Sequence, residues 1–290
     1  MERGVLTLAV KKPVYGNMAY NLAVSIKLPN PDVKVQLVCD DEAISELSEE
    51  QKEIFDILTP VEGKYADMNP GELKVNMYDL SAFFGGTLFI DADSIMFPTS
   101  DINRLLGTLS GYGYQPFYRN SFDKDTSSKK LMFGFSMDDC KDDMFREVLY
   151  FGGKSICEAN SHFMFFSRTP RIENFFYKVK EVYKGLSEGN VLQGKVSEWQ
   201  GQIPDEAAFS IATYITGTYP DIPGGWQPIH DVWSEVGSFN HVTGAVGMIG
   251  KYGLTMQGDT DPNREQFYDY VCMLLKIKYH IKDLFKWEEK

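Results

Sequence analysis

Cysteine and histidine are scarce, four of each in 290 residues. Cys39, Cys140, Cys157 and Cys272 are too scattered for a disulfide framework or for zinc spacing, which reads as four inert thiols in a reducing compartment. Nowhere do apolar residues run for the roughly 18 positions that a membrane span requires. Met1-Glu2-Arg3-Gly4 leads straight into a strand-like run. The expectation is a cytoplasmic protein with no integral membrane segment. Positive charge is also in deficit: 29 Lys and Arg against 41 Asp and Glu leave a net −12. That balance argues against a general grip on nucleic-acid phosphates and leaves open only a local basic groove.

What is present is the composition of a globular protein with ample chain for a core: 43% hydrophobic, 24% charged and an aromatic share of 14%. The first third alternates strand-like and helix-like patterns. Val5 to Val10 is an apolar β-branched run, and after Lys11-Lys12-Pro13 the segment Met18 to Ile26 has helical spacing. Val33 to Cys39 predicts a second strand ending in Asp40-Asp41, and Ile44 to Leu58 an acidic amphipathic helix stopped by Pro60. Leu73, Met77, Leu80 and Phe84 predict a third helix, with Asn69-Pro70 as its start signal and Gly85-Gly86 as its stop. Thr87 to Ile90 then forms a buried strand. The pattern is that of an α/β protein with a mostly parallel central sheet and helices on both faces.

Beyond residue 110 the pattern loosens. Gly111 to Tyr114 and Asp123 to Lys130 read as an irregular excursion, and His162 to Phe166 as a compact strand. Ile172 to Leu186 and Asp205 to Ile215 read as helices, Pro220 to Pro228 as a loop, and Tyr268 to Lys286 as a final amphipathic helix. No repeat or linker divides the chain.

The sharpest chemical signal is Phe-Ile-Asp-Ala-Asp-Ser at 89 to 94. On a strand, residues two apart face the same way, so Asp91 and Asp93 project together at its carboxyl end. Two such carboxylates repel unless a cation lies between them, and hard divalent ions suit oxygen ligands. The plain alternative is that they cap a following turn.

This Asp-x-Asp element, preceded by Lys74 and Tyr78-Asp79-Leu80, resembles the nucleotide-sugar glycosyltransferases of the GT-A fold, and most the glycogenin-type family 8 branch. The resemblance implies a single GT-A domain over 1–290: a nucleotide-binding half at 1–110, an acceptor and sugar half at 111–258, and a C-terminal amphipathic helix at 259–290. It implies that Asp91 and Asp93 hold Mn²⁺, or alternatively Mg²⁺, on the diphosphate of the donor, with Ala92 between them. Residues 7 to 27 are similar to the family's opening segment. There the backbone after the strand, here Val10, meets uracil, and an aromatic, here Tyr15, stacks on it; plain packing is the other reading of Tyr15.

The same resemblance implies a donor contact for Lys74, which otherwise reads as a surface lysine. Asn160-Ser161 is similar to the family's Asn-x-Gly donor-sugar segment. Asp205 or Glu206 would lie near the reacting sugar as the catalytic candidates, although Asp205 after Pro204 also reads as a helix cap. His241, Gly244 and Lys251 follow the family's closing His-x-x-Gly and lysine, with a longer gap before the lysine than usual. His241 would be the third metal ligand, and its nitrogen favours manganese; His230 is the rival.

The implied activity is transfer of a hexose or pentose from a nucleoside-diphosphate sugar, a UDP-sugar by resemblance, with retention. The acceptor stays open among glycan, small molecule, protein and modified nucleic acid. Two alternatives stand beside it. A haloacid-dehalogenase-type phosphatase also uses strand-Asp-x-Asp, and Lys251 and Gly258-Asp259-Thr260-Asp261 would complete it, but there the nucleophile normally ends the first strand. The other alternative is an inactive module that binds nucleotide sugars without turnover. Asp138, Asp139, Asp142 and Asp143 lack the glycine and terminal glutamate of a calcium loop and read as a solvated helix face. The lysines of the last helix, Lys276, Lys278, Lys282 and Lys286, fit packing against the body better than an anionic membrane or a polyanionic acceptor.

Overall fold

The computed structural model describes residues 2–98, 100–123, 131–132, 135–136, 155–188, 205–218, 229–231, 246–250, 272–281 and 284. The chain forms two compact units: Met1–Ala66, Ala82–Gly111 and Trp226–Lys290 make the first, Asp67–Ser81 and Tyr112–Gly225 the second. Among the described residues no helix is long and apolar enough to cross a membrane.

In the first unit β1 (Arg3–Ala9), β2 (Lys34–Cys39), β3 (Ile57–Pro60) and β4 (Gly86–Ile90) lie parallel in the order β3-β2-β1-β4. β1 is registered by Val5 against both Val35 and Leu88. β4 is buried along its whole length, and β1 and β2 nearly so, the near-continuous apolar runs that a sheet covered on both faces requires. The chain leaves β1 for β2 on one side and returns as β4 on the other. Loops after β1 and β4 therefore part at the strands' carboxyl ends, the place where open α/β sheets bind ligands.

The helix α1 (Pro13–Lys27) starts without a side-chain cap, but Pro13 in its first turn presets the helical φ. Ser25 Oγ accepts the Met96 amide at 3.0 Å, holding α1 against β5 (Ser94–Met96). A cluster of Val24, Ile95, Phe97, Cys272, Leu275 and Leu284 joins α1 and β5 to the helical residues 272–279. Full burial of Leu275 is worth about 2 kcal/mol on area grounds. β5 pairs antiparallel with β11 (Val246–Gly250), which pairs parallel with β10 (Ile229–Asp231). Asn30 bridges α1 to α5 (Ile102–Leu109): its amide donates to the Ser100 carbonyl at 2.9 Å and its oxygen accepts the Ile102 amide at 3.0 Å.

The second unit carries α3 (Pro70–Val75), α4 (Met77–Leu80), β6 (Tyr114–Asp123), β9 (Ser155–Phe166), α6 (Pro170–Glu188) and α7 (Asp205–Thr216). Short strands β7 (Leu131–Met132) and β8 (Phe135–Ser136) pair with each other, and β6 pairs antiparallel with β9 through two irregularities. Its core spends much of the aromatic content: Tyr78, Tyr114, Phe166, Phe175, Phe176 and Phe209 pack with ring centroids 4.4 to 6.4 Å apart.

Four sequence expectations need correction. Residues 44 to 58 form not one helix but a single turn, α2 (Glu49–Lys52), and the edge strand β3. The Ser48/Gln51 capping box starts the turn, and Pro60 ends an edge strand, where a missing amide does no harm. The helix expected through Phe84 breaks at Asn76 into α3 and α4 and stops at Leu80, leaving Phe84 exposed. Tyr114 and Asp123, expected in irregular stretches, are instead the first and last residues of the strand β6. The last helix ends at 279, because His280 takes a φ of 56° and turns the chain. Residues 124–130 and 219–228 lie outside the described residues, as do Asp138 to Asp143.

Candidate functional site

The first unit gathers its candidate residues at the carboxyl ends of β1 and β4. β4 ends at Ile90, so Asp91 to Asp93 form a turn instead of continuing the strand, with the Ser94 amide donating to the Asp91 carbonyl at 3.0 Å. Strand alternation does not govern this stretch. The burial pattern nonetheless keeps Asp91 and Asp93 partly exposed on either side of buried Ala92, so one short turn carries both acidic residues. Tyr15 sits in the first turn of α1, half-buried. Its phenol is pushed above the ordinary value first by burial and then by the negative charge of Asp93, which puts ring and carboxylate in one electrostatic neighbourhood. Val10 is buried at the end of β1.

Sequence reading gave no role to Asp40 at the end of β2. Its Oδ2 accepts the Lys11 amide and its Oδ1 the Ala43 amide, both at 2.8 Å, tying the loops after β1 and β2 together. The only available signal was an acidic pair at a strand end. Cys39 beside it is a buried free cysteine, and burial, followed by the charges of Asp40 and Asp41, pushes its thiol to about 12, away from the thiolate form that reactivity requires.

The second unit brings three other candidates together. Lys74 on α3 lies 3.6 Å from Asp205 Oδ2 at the start of α7, and 3.4 Å from the Ser161 hydroxyl on β9. Asp205 and Glu206 occupy the first turn of α7, where the helix dipole favours negative charge. Asn69 caps α3, its oxygen accepting the Glu72 amide at 2.9 Å and so fixing the turn that presents Lys74. Tyr183 on α6, unremarked in the sequence because it continues an apolar face, backs this cluster. Burial and then the Asp205 charge raise its phenol to about 12, and its hydroxyl lies 3.5 Å from Asn69 Oδ1. Asp205 Oδ2 is buried yet accepts no hydrogen bond among the described residues. A buried carboxylate oxygen with spare acceptor capacity beside a lysine suits a ligand hydroxyl.

Asn160 and His230 are described only as strand backbone, in β9 and β10. His241, Gly244, Lys251 and Gly258 to Asp261 lie outside the described residues. Among the described residues no group of three His, Cys, Asp or Glu side chains forms a metal centre.

No protein-family model matches the chain, and no curated protein matches it. Solved structures do. The fold is similar to the glycosyltransferase GlyE of Streptococcus pneumoniae TIGR4, with a TM-score of 0.50 at 14% identity over 99% of this chain and 67% of that one. The apo form of GlyE gives 0.52 at 12% identity over 97% and 64%. The chain thus spans about two thirds of GlyE's length. Mouse xyloside xylosyltransferase 1, apo form, matches at 0.46 and 10% identity over 85% of this chain and 97% of that one. The architecture is the α/β arrangement of GT-A glycosyltransferases.

Proposed function

We propose that the protein is a metal-dependent glycosyltransferase acting on a nucleoside-diphosphate sugar, with a UDP-sugar as donor and retention at the anomeric carbon. One observation carries this reading: the Asp91-Ala92-Asp93 turn follows directly on the fully buried β4, and Tyr15 lies within the electrostatic reach of Asp93. Two partly exposed carboxylates on one short turn fit a hard divalent ion, which their mutual repulsion favours. Asp91 and Asp93 would hold it, with His241 as third ligand and manganese as the ion that accepts such a nitrogen. Bound there, the ion would supply charge stabilisation for the departing nucleotide diphosphate.

The chain's own groups do the rest. The Val10 backbone and the Tyr15 ring meet the base. Lys74, held between Asp205 and Ser161, donates to sugar hydroxyls, while the spare Oδ2 of Asp205 accepts from one. Gly244 and Lys251 complete the diphosphate contacts, Asn160 the sugar contacts, and Glu206 stands beside Asp205 as the second candidate at the reacting sugar. With retention no strong general base is required.

UDP with Mn²⁺ is expected to raise the melting temperature, and Asp93→Ala to abolish that rise while the unliganded melting temperature is kept. A screen of nucleotide sugars for Mn²⁺-dependent release of nucleotide diphosphate then fixes the donor. A shift with phosphate and Mg²⁺ but none with UDP would overturn the proposal in favour of a phosphatase.

A further inference from the structure

The loop after β1 contains a backbone conformation that needs an external restraint. Lys11 has φ at 70°, in the left-handed region that a non-glycine residue enters at a steric cost. Its amide is the one that donates to Asp40 Oδ2. The other oxygen of Asp40 takes the Ala43 amide, which fixes the loop after β2. That loop lies against α1 at Gly16, where a Cβ would come within 1.9 Å of the Ala43 carbonyl oxygen. A second tie follows one residue on, Asn17 donating to Glu46 Oε2 at 2.8 Å. The residues braced in this way flank Val10 and Tyr15.

We infer that Asp40 is a positioning residue for nucleotide recognition: its carboxylate holds Lys11 in the left-handed conformation and seats the 40–46 loop on α1, which presents the Val10 backbone and the Tyr15 ring to the base. The inference rests on the proposed function. Two backbone donors on two separate oxygens require a carboxylate, since a carboxamide would turn an NH₂ donor toward one of the amides. Without the clamp the loop relaxes toward extended backbone. Only the left-handed fraction binds, and apparent affinity falls by that fraction. The loss is shared by ground and transition states, so it enters KM and leaves kcat alone.

Asp40→Asn is expected to raise both the Kd for UDP with Mn²⁺, measured by calorimetry, and the donor KM by roughly five- to thirtyfold, the weight of one left-handed residue. Its kcat stays within about twofold of the parent. Adding Lys11→Gly is expected to restore most of the affinity, because glycine adopts positive φ at no steric cost. Rescue at position 11 separates positioning from general support of the fold, which a glycine would not repair. Asp40→Glu keeps charge and acceptors but is one methylene too long, and it is read in the same way should the Asn variant not fold. A parent that binds UDP alongside Asp40 variants with unchanged Kd, or a Kd rise that Lys11→Gly leaves untouched, overturns this inference alone. A parent that binds no nucleotide overturns the proposed function and this inference with it.

Discussion

The Lys74 ammonium stands 3.6 Å from Asp205 Oδ2, with the two side chains only 14% and 17% exposed, and no hydrogen bond completes that oxygen among the described residues. A charge pair so largely withdrawn from water and yet loosely closed resembles a receptor more than a strut. Coulomb attraction at this range is moderate, and the missing hydrogen bond is what a bound hydroxyl would supply.

Lys74→Met strands the carboxylate. Stability is expected to fall by about 1–2 kcal/mol, below the ~3–5 kcal/mol of a fully buried pair because both groups retain some water. Adding Asp205→Asn is expected to recover part of that loss, since removing both charges costs less than orphaning one. Urea unfolding of the two variants checks this; equal stability of parent and single variant would contradict it.

Gly16→Ala exchanges a favourable helix propensity for a collision with backbone. The gain of ~1 kcal/mol from propensity is outweighed. The Cβ would lie 1.9 Å from the Ala43 carbonyl oxygen, and the Ala43 amide is already held by Asp40, so the loop cannot step aside cheaply. A net destabilisation of about 1–3 kcal/mol is expected in urea unfolding, by analogy with overpacked cores.

Asp56 sets an acid limit. Burial alone would raise its carboxyl, but the hydrogen bonds from Lys27, the Val35 amide and Lys34 outweigh it and hold the group below the ordinary 3.8. A depressed carboxyl contributes stability that is complete above the unfolded value and is lost as pH falls toward the folded one. Unfolding free energy should therefore decline with acid between about pH 5 and pH 2, and Asp56→Asn should flatten that part of the profile. A profile unaltered by the substitution would count against this role.

The sequence made legible those elements whose fate is decided locally. β1, β2 and β4 are apolar runs, α1 carries a helical face, and α6 and α7 begin and end near the residues their periodicity suggests. Misreadings arose where distant contacts decide. Ile44, Leu47, Ile54 and Leu58 share a helical spacing, yet Asp56 takes the Val35 amide and β3 pairs with β2, pulling the chain into a strand. At the candidate site the residue types of Asp91 and Asp93 are readable, but spacing alone does not decide between a continued strand and the turn that carries them, since the chain's course after Ile90 depends on β5 finding its partners. Lys74, Ser161 and Asp205 lie far apart in sequence, so their meeting was accessible only through a resemblance. Asp40 and Tyr183 act through backbone amides and through burial, which one-dimensional spacing does not encode.

The cluster that seats Ile95 and Phe97 also bears on biosynthesis. Lys278 donates to the Pro98 carbonyl at 2.7 Å across a sequence separation of 180, and Leu275 and Cys272 close over the strand that follows the aspartate turn. Translation therefore delivers the aspartate turn long before the backing of the strand that follows it. Closing so long a loop is slow compared with local helix formation. A ribosome-bound chain that has emerged only through residue 260 would lack this buttress, so β5 beside the aspartate turn would be seated late, when the final described helix docks.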